Sequence, residues 1–303
     1  MENKTYDYII IGAGPAGLSS AQYAARSGLK TVVLEGAGAG GQVTQIADLE
    51  NYPGVFPAVN GYDFIETMRT QALAFGAQIE QVMVSSIDKK GKDFVITTKD
   101  AVYSAPAICI ATGAEHKDLG VPGEKEFTGR GVSYCAVCDG PFFKNKKIFV
   151  VGGGDSACSE AIYLSTISAD VSIIHRRDTF RAQKAVVDKM LAAGVKPVYD
   201  TVVKSINGDV KVKSLTLENV KTGEQTTVDC DVVFIFAGMV PRTQLVEMLR
   251  RDETGYIITD ENMQTSVPGL FAAGDVRSKS FRQIVTAASD GAIAANAVKE
   301  LIK

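Results

Sequence analysis

No run of about 18 apolar residues occurs in this sequence, so no segment has the length of a membrane-spanning helix. Basic charge is not in excess either. Lys and Arg number 32 against 35 Asp and Glu, the net charge is −3, and no long block of one sign is present. Nucleic-acid binding needs a basic surface, so a nucleic-acid partner is not expected. Histidine is scarce: His116 and His175 are far apart, and a second C-x-x-C is missing, which leaves four-coordinate zinc short of ligands. Five cysteines in 303 residues do not form a disulfide framework. The first residues, Met1-Glu2-Asn3-Lys4, lack the apolar core of a signal peptide, and a cytoplasmic location is expected.

Glycine, by contrast, is plentiful. The 29 glycines exceed the usual share of roughly 7%, and two clusters follow apolar runs. Gly12-Ala13-Gly14-Pro15-Ala16-Gly17 comes straight after Tyr8–Ile11. Gly152-Gly153-Gly154-Asp155-Ser156-Ala157 comes straight after Ile148–Val151. In the first cluster Gly12 permits a tight turn, Gly14 lets backbone approach a pyrophosphate, and Gly17 lets helix and strand pack closely. The helix that follows offers unpaired N–H groups to phosphate. Tyr6–Ile11 reads as a buried strand, Pro15–Ser27 as a helix, Thr31–Leu34 as the next strand, with Gly36–Gly41 a loop. Glu35 then stands where a ribose hydroxyl would be accepted.

The second unit, Lys147–Ile174, repeats strand, glycine turn, helix and strand. Glu35 lies 23 positions beyond Gly12, and the same offset from Gly152 reaches His175, followed by Arg176, Arg177 and Arg181. Guanidinium groups bind a 2′-phosphate that an acid would repel, so this unit suits NADPH rather than NADH; a solvated basic face is the alternative. Between the clusters lies Cys135-Ala136-Val137-Cys138-Asp139. Beside two nucleotide sites the pair reads as redox-active, with zinc ligation the competing reading. Asp139 suits proton relay to a leaving thiolate, or a turn or cap before Gly140. Cys109, Cys158 and Cys230 read as packing residues. Phe142 and Phe143 suit either partner docking or core packing. Helices are expected at Tyr62–Phe75, Thr179–Ala193 and about Gln283–Leu301. Short strands are expected up to Ala105–Ala111, near Val198–Val228 and at Asp231–Phe236.

Taken together, these residues closely resemble the low-molecular-weight, bacterial-type thioredoxin reductases, nearly end to end. Gly40-Gly41-Gln42 and Glu50-Asn51-Tyr52-Pro53-Gly54 resemble that family's flavin-side loop, and Ala111-Thr112-Gly113 its interdomain turn. Cys135-Ala-Val-Cys138-Asp139-Gly140 matches its redox motif, and His175-Arg-Arg-Asp-Thr-Phe-Arg181 its NADPH-phosphate motif. Phe271-Ala-Ala-Gly274-Asp275 and Arg282-Gln283-Ile284 resemble its carboxy-terminal flavin segment. Val137 departs from the family's usual threonine, and Pro141 from its usual aromatic.

The resemblance implies an α/β fold of two Rossmann-like, doubly wound domains, the NADPH domain inserted into the FAD domain. The expected boundaries are 1–115 and 246–303 for FAD and 116–245 for NADPH. It implies FAD on Gly12, Gly14, Pro15, Ala16, Gly17, Glu35, Gly36, Gly40, Gly41, Gln42, Asn51, Ala111, Gly113, Gly274, Asp275, Arg282, Gln283 and Ile284. NADPH would lie on Gly152, Gly153, Gly154, Asp155, Ser156, His175, Arg176, Arg177 and Arg181. No metal is expected. Cys138 would face the flavin, Cys135 would attack the disulfide of thioredoxin, and Asp139 would supply the proton. A homodimer and a rotation of one domain against the other are further expectations. The alternatives are a reductase of another dithiol protein, peroxiredoxin- or glutaredoxin-like, and a non-catalytic flavoprotein sensor.

Overall fold

Two short strands open the chain where the sequence suggests one: β1 (Glu2–Thr5) and β2 (Tyr8–Ile11). Asp7 separates them; its N–H donates to the Lys30 carbonyl and its carboxylate accepts from the Lys30 N–H. Next come α1 (Pro15–Arg26), β3 (Thr31–Glu35), α2 (Gly61–Ala74) and β4 (Gln78–Gln81). The strands β5 (Val84–Lys90), β6 (Asp93–Thr98), β7 (Ala101–Ala105), β8 (Ala107–Ile110) and β9 (Ala114–His116) follow.

The middle of the chain holds β10 (Val132–Ser133), α3 (Ala136–Asp139), β11 (Ile148–Gly152), α4 (Asp155–Ser165), β12 (Val171–Ile174) and α5 (Lys184–Ala192). It continues through β13 (Lys196–Val198), β14 (Thr201–Gly208), β15 (Val212–Asn219), β16 (Gln225–Asp229), β17 (Val232–Phe236) and β18 (Met239–Pro241). The chain ends with β19 (Leu270–Ala272) and α6 (Ile284–Ile302). This computed structural model describes residues 2–46 and 49–302.

The helix expected from Thr179 starts instead at Lys184. The N–H groups of Arg181 and Ala182 both donate to the Gly153 carbonyl, which holds this stretch against the glycine turn and out of helical geometry.

The chain divides into two units, Met1–Glu115 with Val240–Lys303, and His116–Met239. The second crossing thus falls before the expected position near 245. Beyond Met239 the chain is held by the first unit: the Arg242 N–H donates to the Gly113 carbonyl, and Thr112 Oγ1 donates to the Arg242 carbonyl.

Each unit is built on the same plan. In the first, a parallel sheet of order β19-β8-β2-β3-β4 has consecutive strand residues pointing to opposite faces. Tyr8, Ile10, Val33 and Cys109 pack with apolar residues of α1, α2 and α6. Ile9, Ile11, Val32, Leu34 and Ile108 pack with Phe94, Ile96 and Tyr103 of the second sheet, β1-β7-β6-β5.

The second unit repeats this arrangement with a parallel sheet β10-β17-β11-β12-β13. Its Ile148, Val150, Val232 and Phe234 meet α4, whereas Phe149, Val151, Val233 and Ile235 meet the antiparallel β14-β15-β16. Central strands buried on both faces explain the uninterrupted apolar runs in the sequence. Among the described residues no helix is long and apolar enough to cross a membrane.

Candidate active site

In the first unit the parallel strands deliver their carboxyl ends to one edge, the usual place for a nucleotide in such a sheet. Gly12 has φ +107°, and a Cβ there would overlap the Ala111 carbonyl. A Cβ on Gly14 would meet nothing within 4 Å, so the mouth of α1 is open to a phosphate. Pro15, at the start of α1, lacks an N–H where the helix leaves one unpaired in any case.

Glu35 ends β3 and accepts from the Ala13 N–H at 2.8 Å and the Ala37 N–H at 2.9 Å. Each of its oxygens keeps a lone pair for a hydroxyl donor. The loop after Glu35 and Gly36 returns to the turn, where the Gly40 N–H donates to the Ala13 carbonyl at 2.8 Å. Gly41 and Gln42 follow, and Gln42 Nε2 donates to the Ala114 carbonyl, one residue beyond Gly113, at 2.7 Å.

The carboxy-terminal residues arrive at the same edge. The Ala273 N–H donates to the Ile110 carbonyl, and the Gly274 turn packs on Ala16. Asn51 Nδ2 donates to Gln283 Oε1 at 3.1 Å, just before Ile284 opens α6. The Arg282 guanidinium lies 3.7 Å from the Tyr256 ring centroid. Asp275 Oδ1 and Arg282 Nε are buried without a hydrogen-bond partner. Unsatisfied acceptor and donor atoms beside an open glycine turn fit a polar ligand such as FAD.

In the second unit, Gly152, Gly153 and Gly154 link β11 to α4, and a Cβ on Gly154 would meet nothing within 4 Å. A Cβ on Gly153 would overlap the His175 ring. His175 is buried, donates from Nε2 to the Thr179 carbonyl at 3.0 Å, and stacks on Phe180. Burial, with Arg181 and Arg176 nearby, lowers its pKa below the ordinary histidine value. The ring supports the turn and its loop from beneath. Asp155 accepts from the N–H and Nε2 of Gln183, while Ser156 is exposed. Arg176, Arg177 and Arg181 are exposed and form no ion pair among the described residues. Free guanidinium groups beside an open helix mouth fit the 2′-phosphate of NADPH.

Cys135 and Cys138 are joined as a disulfide with Cα atoms 5.3 Å apart. Cys135 caps α3, its Sγ accepting from the Cys138 N–H at 3.1 Å, and its own N–H donates to Ser133 Oγ at 3.1 Å. Cys138 is exposed and Cys135 half-buried. Asp139 ends α3 and lines a cleft of about 280 Å³ with Ser133, Phe142 and Phe143. Phe142 is 80% exposed, whereas Phe143 packs edge-on to Phe234. The other three cysteines are buried, and burial pushes their thiols up to about 12 for Cys109 and Cys230 and about 11 for Cys158. They are inert beside the pair. Among the described residues no cluster of three or more His, Cys, Asp or Glu is placed to hold a metal ion.

Sequence reasoning missed two supports. Buried Glu124 accepts from the N–H groups of Leu119 and Gly120 and from Tyr134 Oη at 2.9 Å, bracing the residue before Cys135. Buried Asp290 accepts from the Gly274 N–H, Arg277 and Lys279 behind the Gly274 turn. The one sign of Asp290 in the sequence is a charge within an alanine-rich helix.

Two parallel sheets, each with its own glycine turn, one of those turns beside free arginines, and a surface disulfide define a nucleotide-dependent disulfide oxidoreductase. The chain belongs to the pyridine nucleotide-disulphide oxidoreductase family, whose pattern matches residues 6–291. Relatives that match nearly the whole chain include thioredoxin reductases. It is 53% identical over 298 residues to that of Treponema pallidum, covering 98% of this chain and 97% of the relative. It is 46% identical over 306 residues to that of Listeria innocua, covering 100% and 95%. Among solved structures, Lactococcus lactis thioredoxin reductase is 44% identical with a TM-score of 0.95 over 98% of this chain and 99% of that one. Thioredoxin reductase of T. acidophilum is 38% identical with a TM-score of 0.94 over 98% of each chain.

Proposed function

We propose that this chain is a thioredoxin-disulfide reductase, spending NADPH to reduce thioredoxin through FAD and the Cys135–Cys138 pair. The observation that carries the reading is the disulfide at the head of α3, in a chain with two glycine turns and an unpaired arginine loop. Bound FAD would supply a two-electron carrier between the nicotinamide and the cysteine pair. Gly12–Gly17, Glu35, Gln42, Asn51, Asp275 and Arg282–Ile284 would hold it. Ser156, Arg176, Arg177 and Arg181 would hold NADPH.

When the pair is reduced, two protons must be accommodated. The Cys138 N–H at the Cys135 sulfur favours a thiolate there, which supports Cys135 as the attacking group. Cys135 displaces one sulfur of the partner's disulfide to form a mixed disulfide. Asp139, in the adjoining cleft, delivers a proton to the departing thiolate. Cys138 then attacks Cys135, restores the internal disulfide and frees the partner as a dithiol. One NADPH and one proton are consumed per disulfide reduced.

The test is NADPH consumption by the flavin-loaded protein with a panel of thioredoxin, glutaredoxin-like and peroxiredoxin-like disulfides. Thioredoxin is expected to give the highest kcat/KM, and Cys135→Ser or Cys138→Ser to abolish turnover. Anaerobic NADPH should bleach the flavin colour and yield two thiols; a flavin that stayed oxidised would indicate a sensor instead. Exposed Phe142 is assigned to partner docking. Phe142→Ala should raise the KM for thioredoxin roughly tenfold or more while leaving flavin reduction by NADPH unchanged.

We further propose that the protein works in the cytoplasm as a homodimer. Exposed Tyr23 on α1 and Tyr62 and Leu73 on the neighbouring α2 offer apolar surface for pairing. Analytical ultracentrifugation should return twice the chain mass; a monomer at micromolar concentration would remove this part.

A further inference from the structure

Asp290 lies among Ala287, Gly291 and Ala294 on the buried face of α6, and it is 6% exposed. A carboxylate in such a place is unfavourable unless every charge is answered. Its Oδ2 accepts from the Gly274 N–H and from Lys279 Nζ, both at 3.0 Å, and its Oδ1 from Arg277 Nη1 at 3.0 Å. Arg277 is fixed in turn by Thr259 Oγ1 at 2.9 Å. Lys279 also reaches Thr286 Oγ1 at 3.3 Å, which leaves its ammonium facing Asp275 Oδ1 at 3.5 Å. That oxygen is the buried acceptor without a hydrogen-bond partner.

We propose that Lys279, anchored by Asp290, is a positioning residue that keeps the Asp275 carboxylate charged and turned toward a hydroxyl of the flavin cofactor. This rests on the FAD reading above. The groups around Asp275 are the cations Lys279 and Arg282 and the anion Asp290. The first turns of α1, Pro15–Ser20, pack against the same turn and bring no charged side chain. Burial pushes the Asp275 carboxyl up, and Lys279 is the strongest influence holding it down. Without that ammonium, protonation of Asp275 moves to higher pH, and a charge-assisted acceptor becomes a neutral one. Asp290 would retain Arg277 and the Gly274 N–H, so the turn itself would persist.

The experiment strips the protein of flavin and measures FAD affinity by fluorescence quenching from about pH 5.5 to 8.5. Wild type is expected to bind with little pH dependence. Lys279→Met should weaken binding about tenfold on going from the alkaline to the acid end, the difference between a charged and a neutral hydrogen-bond acceptor. Lys279→Arg should restore the flat profile. In an Asp275→Asn background, Lys279→Met should add no pH dependence, since the titrating group is gone. Lys279→Gln carries the same expectation should the methionine variant fail to fold. A flat Lys279→Met profile beside a wild type that binds FAD overturns this inference alone. A wild type that takes up no FAD overturns the FAD reading as well.

Discussion

Glu160, on α4, is a half-buried carboxyl that burial alone pushes up from 4.5 to about 7. In the unfolded chain it titrates near its ordinary value. Between the two values the folded protein holds a proton that the unfolded chain has released. The contribution to stability is therefore complete below the unfolded pKa and is lost as pH rises through the folded one. Each pH interval of one between those two values is worth about 1.4 kcal/mol, so the loss is on the order of 3 kcal/mol. Glu160→Gln removes the titration. Urea unfolding of wild type should show stability falling between about pH 5 and 8 relative to the variant; parallel curves would refute the assignment. Glu160 and Asp290 share a lesson about reading residues from sequence. The cysteine pair was legible because its chemistry lies in adjacent positions. The carboxylates at 160 and 290 carry no local signature, since their roles come from burial and from partners on other segments. For Asp290 the nearest partner in sequence is Lys279, 11 positions away.

At the scale of elements, the glycine turns and their flanking strands were legible because each requirement is local: an apolar strand, a turn without Cβ, a helix mouth. The arginine loop after β12 was legible by offset, yet its shape was not. Thr179–Gln183 departs from the expected helix because two of its N–H groups bond to Gly153, a partner distant in sequence. That attachment places Arg181 beside the glycine turn rather than on a free helix. It gives the element one task, to present three guanidinium groups supported by His175 and Phe180. Alanine at Arg176, Arg177 or Arg181 should accordingly raise the KM for NADPH. Loss of one charge-assisted bond of about 1.5–3 kcal/mol corresponds to roughly tenfold to a hundredfold. The KM for NADH should hardly move, because that nucleotide lacks the 2′-phosphate. A parallel rise for both nucleotides would mean that the loop supports the turn without reading the phosphate.

For the whole molecule, the two-unit plan was legible from the duplicated glycine turns and from flavin-site residues at both ends of the chain. The second crossing was less so, because nothing local marks Met239 and Val240; the bonds of Arg242 and Thr112 within the first unit set that boundary. The chain passes between the units twice, in β9 and β18, and these strands pair with each other. Two crossings make a natural hinge. The proposed chemistry demands such freedom. The redox pair and the arginine loop belong to one unit and the flavin-side edge to the other. The flavin must meet the nicotinamide in one half of the cycle and the disulfide in the other, and the disulfide must also meet a protein. One fixed arrangement cannot present a single flavin to both reactants while exposing Cys135 to a bulky partner, so turnover should be gated by a domain motion. A reversible cross-link between the units should abolish steady-state reduction of thioredoxin while NADPH binding survives, and cleaving the link should restore it. Undiminished turnover in the linked protein would mean that the relay runs without rotation.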